Sequence, residues 1–176
     1  MAEESIVARV LDSTSLEELR GAPEHSATLD QLNYIWSIPD KLISEVVLNP
    51  SNNKAWEALH KFSHFTDGGL SSMYDDACFD AIKKDPLIYY NRYVHSGDDE
   101  VLDRLKDAMQ GYLIDDGNNI HLLEAGNRKH IETMLTLIKQ QKPSDAEQSK
   151  RHTDFLKFSE LNYKLRKKEF YENFGE

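Results

Sequence analysis

The sequence predicts an all-α protein of about eight short-to-medium helices packed as antiparallel pairs, ending in a long C-terminal helix. Three observations predict it. Apolar residues recur at helical spacing along nearly the whole chain. No segment alternates apolar and polar residues over strand length with β-branched enrichment. Helix-start and helix-stop residues separate the apolar stretches at short intervals. The chain has 176 residues, 39% of them hydrophobic, which is enough to core one domain. A single helical domain is expected over 1–176. It would hold N-terminal helices over 1–48, a helical-hairpin core over 50–112 and C-terminal helices over 127–174.

Ile6, Val7, Val10 and Leu11 open the chain on one helical face. Ser15 stands three residues before Glu18 as a capping box, and Gly21 closes that short helix. Leu29, Leu32 and Trp36 mark the inward stripe of the next one, which Pro39 interrupts. Asp40 restarts the helix as an N-cap, with Leu42, Ile43, Val46 and Val47 inward, and Asn49-Pro50 ends it.

Ser51 is the expected cap of a helix bearing Ala55, Trp56, Leu59 and Phe62. After Thr66-Asp67-Gly68-Gly69, a core stripe runs through Leu70, Met73, Tyr74, Ala77, Cys78, Ala81 and Ile82. Asp85-Pro86 places proline at a first helical position, before Leu87, Ile88, Tyr89, Tyr90 and Tyr93. Ser96-Gly97-Asp98 breaks and recaps, and Val101, Leu102, Leu105, Ala108, Met109 and Tyr112 follow as another stripe. Residues 114–127 read as a loop. A helix with Ile131, Met134, Leu135 and Ile138 comes next. The last helix starts at Pro143-Ser144-Asp145 and carries Phe155, Phe158, Leu161, Leu165, Phe170, Tyr171 and Phe174. Asn49-Pro50 and Asp85-Pro86 each start a helix pair, 36 residues apart. Over 50–112 the architecture resembles right-handed HEAT- or TPR-like stacking of helix pairs, a resemblance that implies no activity.

Charge is unevenly placed. Residues 1–126 carry 10 Lys and Arg against 23 Asp and Glu, whereas residues 127–176 carry 11 against 8. An acidic body disfavours nucleic acid, whose affinity rests on phosphate neutralisation, and suits a basic protein partner. No stretch reaches the roughly 20 apolar residues of a membrane span, so no integral membrane association is expected. The start, Met1-Ala2-Glu3-Glu4-Ser5, has no apolar signal-peptide segment. The expectation is a soluble protein, cytoplasmic, or periplasmic if a signal peptide has been removed. The lone Cys78 excludes an intrachain disulfide and an all-cysteine zinc site. Its place on an apolar stripe reads as a buried, inert thiol.

His60 and His64 stand four apart, a spacing that puts both imidazoles on one helix face and fits a metal site with Asp67 or Asp75 as a further ligand. Lys61 replaces the Glu that a zincin needs next to its first His, and the competing reading is a histidine pair at a core edge. Asp115-Asp116-Gly117-Asn118-Asn119 lacks the alternate-residue ligand spacing of a calcium loop and reads as turn chemistry. No nucleophile motif or phosphate loop is present. The cationic, aromatic stretch Lys164–Tyr171 either docks an acidic partner, another subunit or a membrane surface, or complements its own helix dipole while closing the core.

These features lead to a non-catalytic protein-interaction module without a cofactor. Its candidate docking surface comprises Asp75, Asp76, Asp80, Asp98, Asp99 and Asp103. A compact acidic inhibitor of the bacterial immunity or antitoxin type would fit, by analogy. The alternative is a helical metal-dependent hydrolase using His60, His64 and Asp67 or another nearby Asp.

Overall fold

The computed structural model describes residues 5–66, 68–111 and 120–175. Among them every regular element is a helix and no strand occurs. The order is α1 (Ile6–Asp12), α2 (Leu16–Arg20), a single 3-10 turn (Glu24–Ser26), α3 (Leu29–Trp36), α4 (Ile38–Leu48), α5 (Asn53–Ser63), α6 (Gly68–Lys84), α7 (Ile88–Ser96), α8 (Val101–Gly111), α9 (Ile120–Gln140) and α10 (Ala146–Phe174). Asp67, Tyr112 and the Asp115–Asn119 stretch lie outside the described residues.

Among the described residues, side chains cap the starts of α1, α2, α3, α5 and α10. The Ser15 hydroxyl accepts from the Glu18 amide, while the Glu18 carboxylate turns to the amide and hydroxyl of Thr14. Thr28 and Gln31 complete a capping box at α3. Four expected starts move: α9 begins at Ile120, inside the stretch 114–127 read as a loop, and three more change at caps and prolines. Asn52, not Ser51, caps α5, its side-chain oxygen accepting from the Ala55 amide. Asp40 is not a cap, because Pro39 sits inside the first turn of α4, where its missing N–H costs nothing. Pro86 lies in a turn before α7, whose first residue is Ile88, and the Asp85 carboxylate accepts from the Leu87 amide. At Asp145, the expected cap of α10 does form and accepts from the Gln148 amide.

One buried hydrophobic cluster runs from Val7 to Phe155. Its centre is the crossing of α6 with α8, and α4 lies along α6 as well. α5 packs mainly on α1 and α4, and α10 covers α7, α8 and α9. The expected α5–α6 hairpin therefore opens, each helix finding its main neighbours elsewhere. Trp56, Phe62, Tyr74, Phe79 and Tyr89 fill the middle. Their polar ends are satisfied by backbone: the indole N–H of Trp56 donates to Pro50 at 2.9 Å, and the hydroxyls of Tyr74 and Tyr89 donate to the Leu59 and Cys78 carbonyls.

Leu70, Tyr74, Ala77, Cys78, Ala81 and Ile82 are core as expected, but Met73 is 41% exposed. The inward stripe of α6 faces mainly α8 and α4, and Met73 stays at the surface. In α3 the buried residue is Ile35, which continues through Ile38 and Leu42 across the α3–α4 joint, leaving Leu29 and Trp36 outward. On α10, Phe155 and Phe170 are buried, whereas Leu161, Leu165 and Phe174 are half exposed or more. That helix is 29 residues long and outruns the surface it covers.

Candidate functional sites: the His60 cleft, the α6 carboxylates and the Trp36 groove

His60 is buried on the inner face of α5. Its Nε2 lies 3.2 Å from Asp98 Oδ2, and that oxygen also accepts from Arg92 Nε at 2.7 Å. Arg92 Nη1 donates to Asn53 Oδ1 at 2.6 Å, and its guanidinium lies 5.4 Å above the Trp56 ring. Trp56 and His60 stack at 6.1 Å. Gly97, with φ of +69°, ends α7 in the left-handed region and turns the chain so that Asp98 points inward. Burial pushes the Asp98 carboxyl up, but the bonds from His60 and Arg92 outweigh it and bring its pKa down to about 2. An ionised Asp98 requires a hydrogen on His60 Nε2. The other ring nitrogen, Nδ1, is buried and has no hydrogen-bond partner among the described residues.

His64, exposed at the end of α5, lines the same cleft of about 590 Å³ as His60, Lys61, Arg92 and Asp98. Among the described residues no group of three or more His, Cys, Asp or Glu side chains converges for a metal ion. The two histidines thus share a cleft, and the third ligand expected at Asp67 lies outside the described residues.

The six candidate docking carboxylates divide. Asp75 is half-buried where α6 meets α8; burial and then the Asp107 carboxylate raise its pKa to about 7, against the opposing pull of Arg166 and Arg104. The Asp107 carboxyl is also held above its ordinary value, by burial and by Asp103, while Arg104 pulls it down. Arg104 itself is buried, with Nε 3.1 Å from Asp107 and Nη1 donating to the Tyr74 hydroxyl at 3.1 Å. Asp76 follows Asp75 on α6. Its carboxyl is raised by partial burial and by Asp80, with Lys83 opposing and Asp40 of α4 adding to the rise. Asp80 is paired with Lys83 at 2.7 Å. Asp98 belongs to the His60 cleft, and Asp99 is exposed beside Tyr93 of α7, whose hydroxyl is raised by burial first and by Asp99 second. Asp40 and Asp107 complete the acidic face; from sequence Asp40 reads only as a helix cap and Asp107 not at all, and their spacing within α4 and α8 carries no signal until α6 packs between those helices.

A second concavity of about 620 Å³ lies between α2, α3 and the start of α6. Ile35 and Leu70 form its buried floor, Leu16, Leu32 and the exposed Trp36 its walls, and Arg20 and Glu24 its edge. Sequence reading missed it by turning Trp36 inward. The spacing Ile35–Ile38–Leu42 is the stripe that folds into the core instead.

The chain matches no known family, no curated protein and no solved structure. No helix among the described residues is long and apolar enough to cross a membrane.

Proposed function

We propose that this chain is a non-catalytic protein-interaction module that docks a basic partner on the acidic face of α4, α6 and α8. The observation that carries the reading is the Asp75–Asp107 relationship. On Asp75, half-buried where α6 crosses α8, burial first and the Asp107 carboxylate second oppose ionisation, with Arg166 and Arg104 as the cations acting on it. A cation arriving from outside relieves that opposition, so binding energy is available at this place. Asp40, Asp76, Asp80 and Asp103 extend the negative potential along the same helices and would steer a basic surface toward it. The finer form of the proposal is an inhibitor of the immunity or antitoxin kind, aimed at a basic toxin.

The test is association kinetics with a basic partner identified by affinity capture. Changing Asp75, Asp76, Asp80 and Asp103 together to Asn slows association and flattens its salt dependence, while the circular dichroism spectrum stays helical. An unchanged association rate removes the acidic face as the docking surface.

A second reading, a metal-dependent hydrolase at His60 and His64, is favoured by one observation: the two imidazoles line one cleft. Its test is metal analysis of the purified protein. Stoichiometric metal that disappears on changing both histidines to Gln supports it.

A further inference from the structure

We propose that the groove at Trp36 receives helix α10 of a second copy of this chain. The inference goes beyond the acidic docking face and does not depend on it. The groove has the form that holds one face of an amphipathic helix, with an apolar floor at Ile35 and Leu70 and an open aromatic wall at Trp36, 40% exposed. An exposed Trp beside buried aliphatic side chains is the residue type that anchors interfaces. The surrounding segment is acidic. Residues 15–41 contain Glu17, Glu18, Glu24, Asp30 and Asp40 against Arg20 and Lys41. Arg20 is folded back, Nε donating to the Ala22 carbonyl at 2.8 Å, and Lys41 lies over the Tyr34 ring.

α10 presents the complementary face. Leu161 and Leu165, one turn apart, are 56% and 54% exposed. Lys157, Lys164 and Lys168 flank them at helical spacing. Four acids of α10 are already engaged: Glu147 with Arg151, Glu160 with Lys139 at 2.7 Å, Glu169 with Arg166 at 2.6 Å and Glu172 with Lys168 at 3.4 Å. Lys157 and Lys164 have no ion pair among the described residues, and they are the cations left to meet Glu24 at the groove's edge and the other acids of residues 15–41. The helix cannot fold back onto its own groove, because Phe155, Ser159 and Phe170 hold it against α7, α8 and α9. An α10 that meets this groove is therefore that of another copy. Contact between two different patches runs head to tail unless two such contacts close around a two-fold axis.

Sedimentation velocity across the micromolar range tests this on the full chain. Wild type is expected to self-associate, less so as salt rises. Trp36→Ala and, separately, the double variant Leu161→Glu/Leu165→Glu each weaken association about tenfold or more. Circular dichroism identifies any loss that comes from misfolding, and the leucine pair is exposed enough for its variant to keep the fold. An equimolar mixture of the two variants recovers association, because one copy keeps the groove and the other keeps the helix face. Wild type that stays monomeric overturns the inference. So does a Trp36→Ala protein that associates like wild type, which would mean that α10 pairs with α10. A mixture that fails to recover association overturns it as well.

Discussion

The backbone carbonyl of Asp75 stands so close to Gly111 that a Cβ added there would lie 2.2 Å from its oxygen. This is where α8 passes over α6, backbone against backbone, and it is the contact around which the core is arranged. Gly111→Ala has two opposed effects. Alanine favours a helix by about 1 kcal/mol. The new methyl group meets main chain that cannot rotate away, and overpacking of this sort costs about 1–3 kcal/mol or more. The clash wins, so the urea midpoint falls while the spectrum stays helical. Gly126→Ala on α9 is the control: its Cβ would meet nothing within 4 Å, and the variant gains stability from helix propensity alone.

Leu70 and Met73 stand three residues apart on α6 and separate core from surface there. Leu70 is 6% exposed and Met73 41%. Leu70→Ala is expected to cost about 2–5 kcal/mol, and Met73→Ala less than about 0.5 kcal/mol. Chemical unfolding of the two variants checks the facing of the helix. Equal losses would mean that α6 is rotated from the position described.

Helix existence was legible because apolar spacing is a local property, and nearly every stripe became a helix. Facing was less legible. The stripe Leu29–Leu32–Trp36 and the stripe Ile35–Ile38–Leu42 both satisfy helical periodicity, and only the packing of α4 on α6 selects the second. Capping was read to within a residue at Ser51 and Asn52, since both side chains can accept an amide hydrogen and the turn decides between them. The site residues were legible singly and not as sets. His60 and Asp98 stood out for separate reasons, metal spacing and an acidic run, yet they are partners 38 residues apart. Gly111 carried no signal in the sequence at all, since a glycine at a helix end looks like a cap until another backbone is found beside it.

Asp75 gives the protein a pH dependence of unusual sign for a carboxylate. Burial first, and Asp107 second, raise its folded-state pKa from 3.8 to about 7. The folded state thus binds a proton more tightly than the unfolded chain. Its cost to stability is fully present above about pH 7, shrinks as pH falls toward 4, and is absent below the unfolded value. Partial exposure screens the effect, so about 1–2 kcal/mol is expected rather than the face value of the shift. Asp75→Asn should therefore be more stable than wild type at pH 8 and close to it at pH 4. Urea midpoints at both pH values decide this. A variant less stable at pH 8 would mean that Arg104 and Arg166 more than compensate the charge.

Asp98 carries the opposite sign. Although burial raises its carboxyl, the hydrogen bonds from His60 and Arg92 prevail and leave it at about 2, below its ordinary 3.8. A depressed acid contributes stability above its unfolded pKa and loses it as pH falls through the folded one. Wild type should lose this contribution between about pH 4 and pH 2, a window in which Asp98→Asn shows no matching loss. At neutral pH the same variant leaves Arg92 and His60 facing an amide, and charge-assisted hydrogen bonds of this kind are worth about 1.5–3 kcal/mol. Its cost should couple to that of Arg92→Gln, because both changes break one contact of 2.7 Å and the double variant cannot lose it twice. Urea unfolding of the two single variants and the double variant at pH 7 measures the coupling directly. Additive losses would mean that Arg92 holds Trp56 and Asn53 independently of Asp98. Sub-additive losses would mean that the turn at Gly97, the ion pair and the buried His60 form one cooperative unit at the mouth of the cleft.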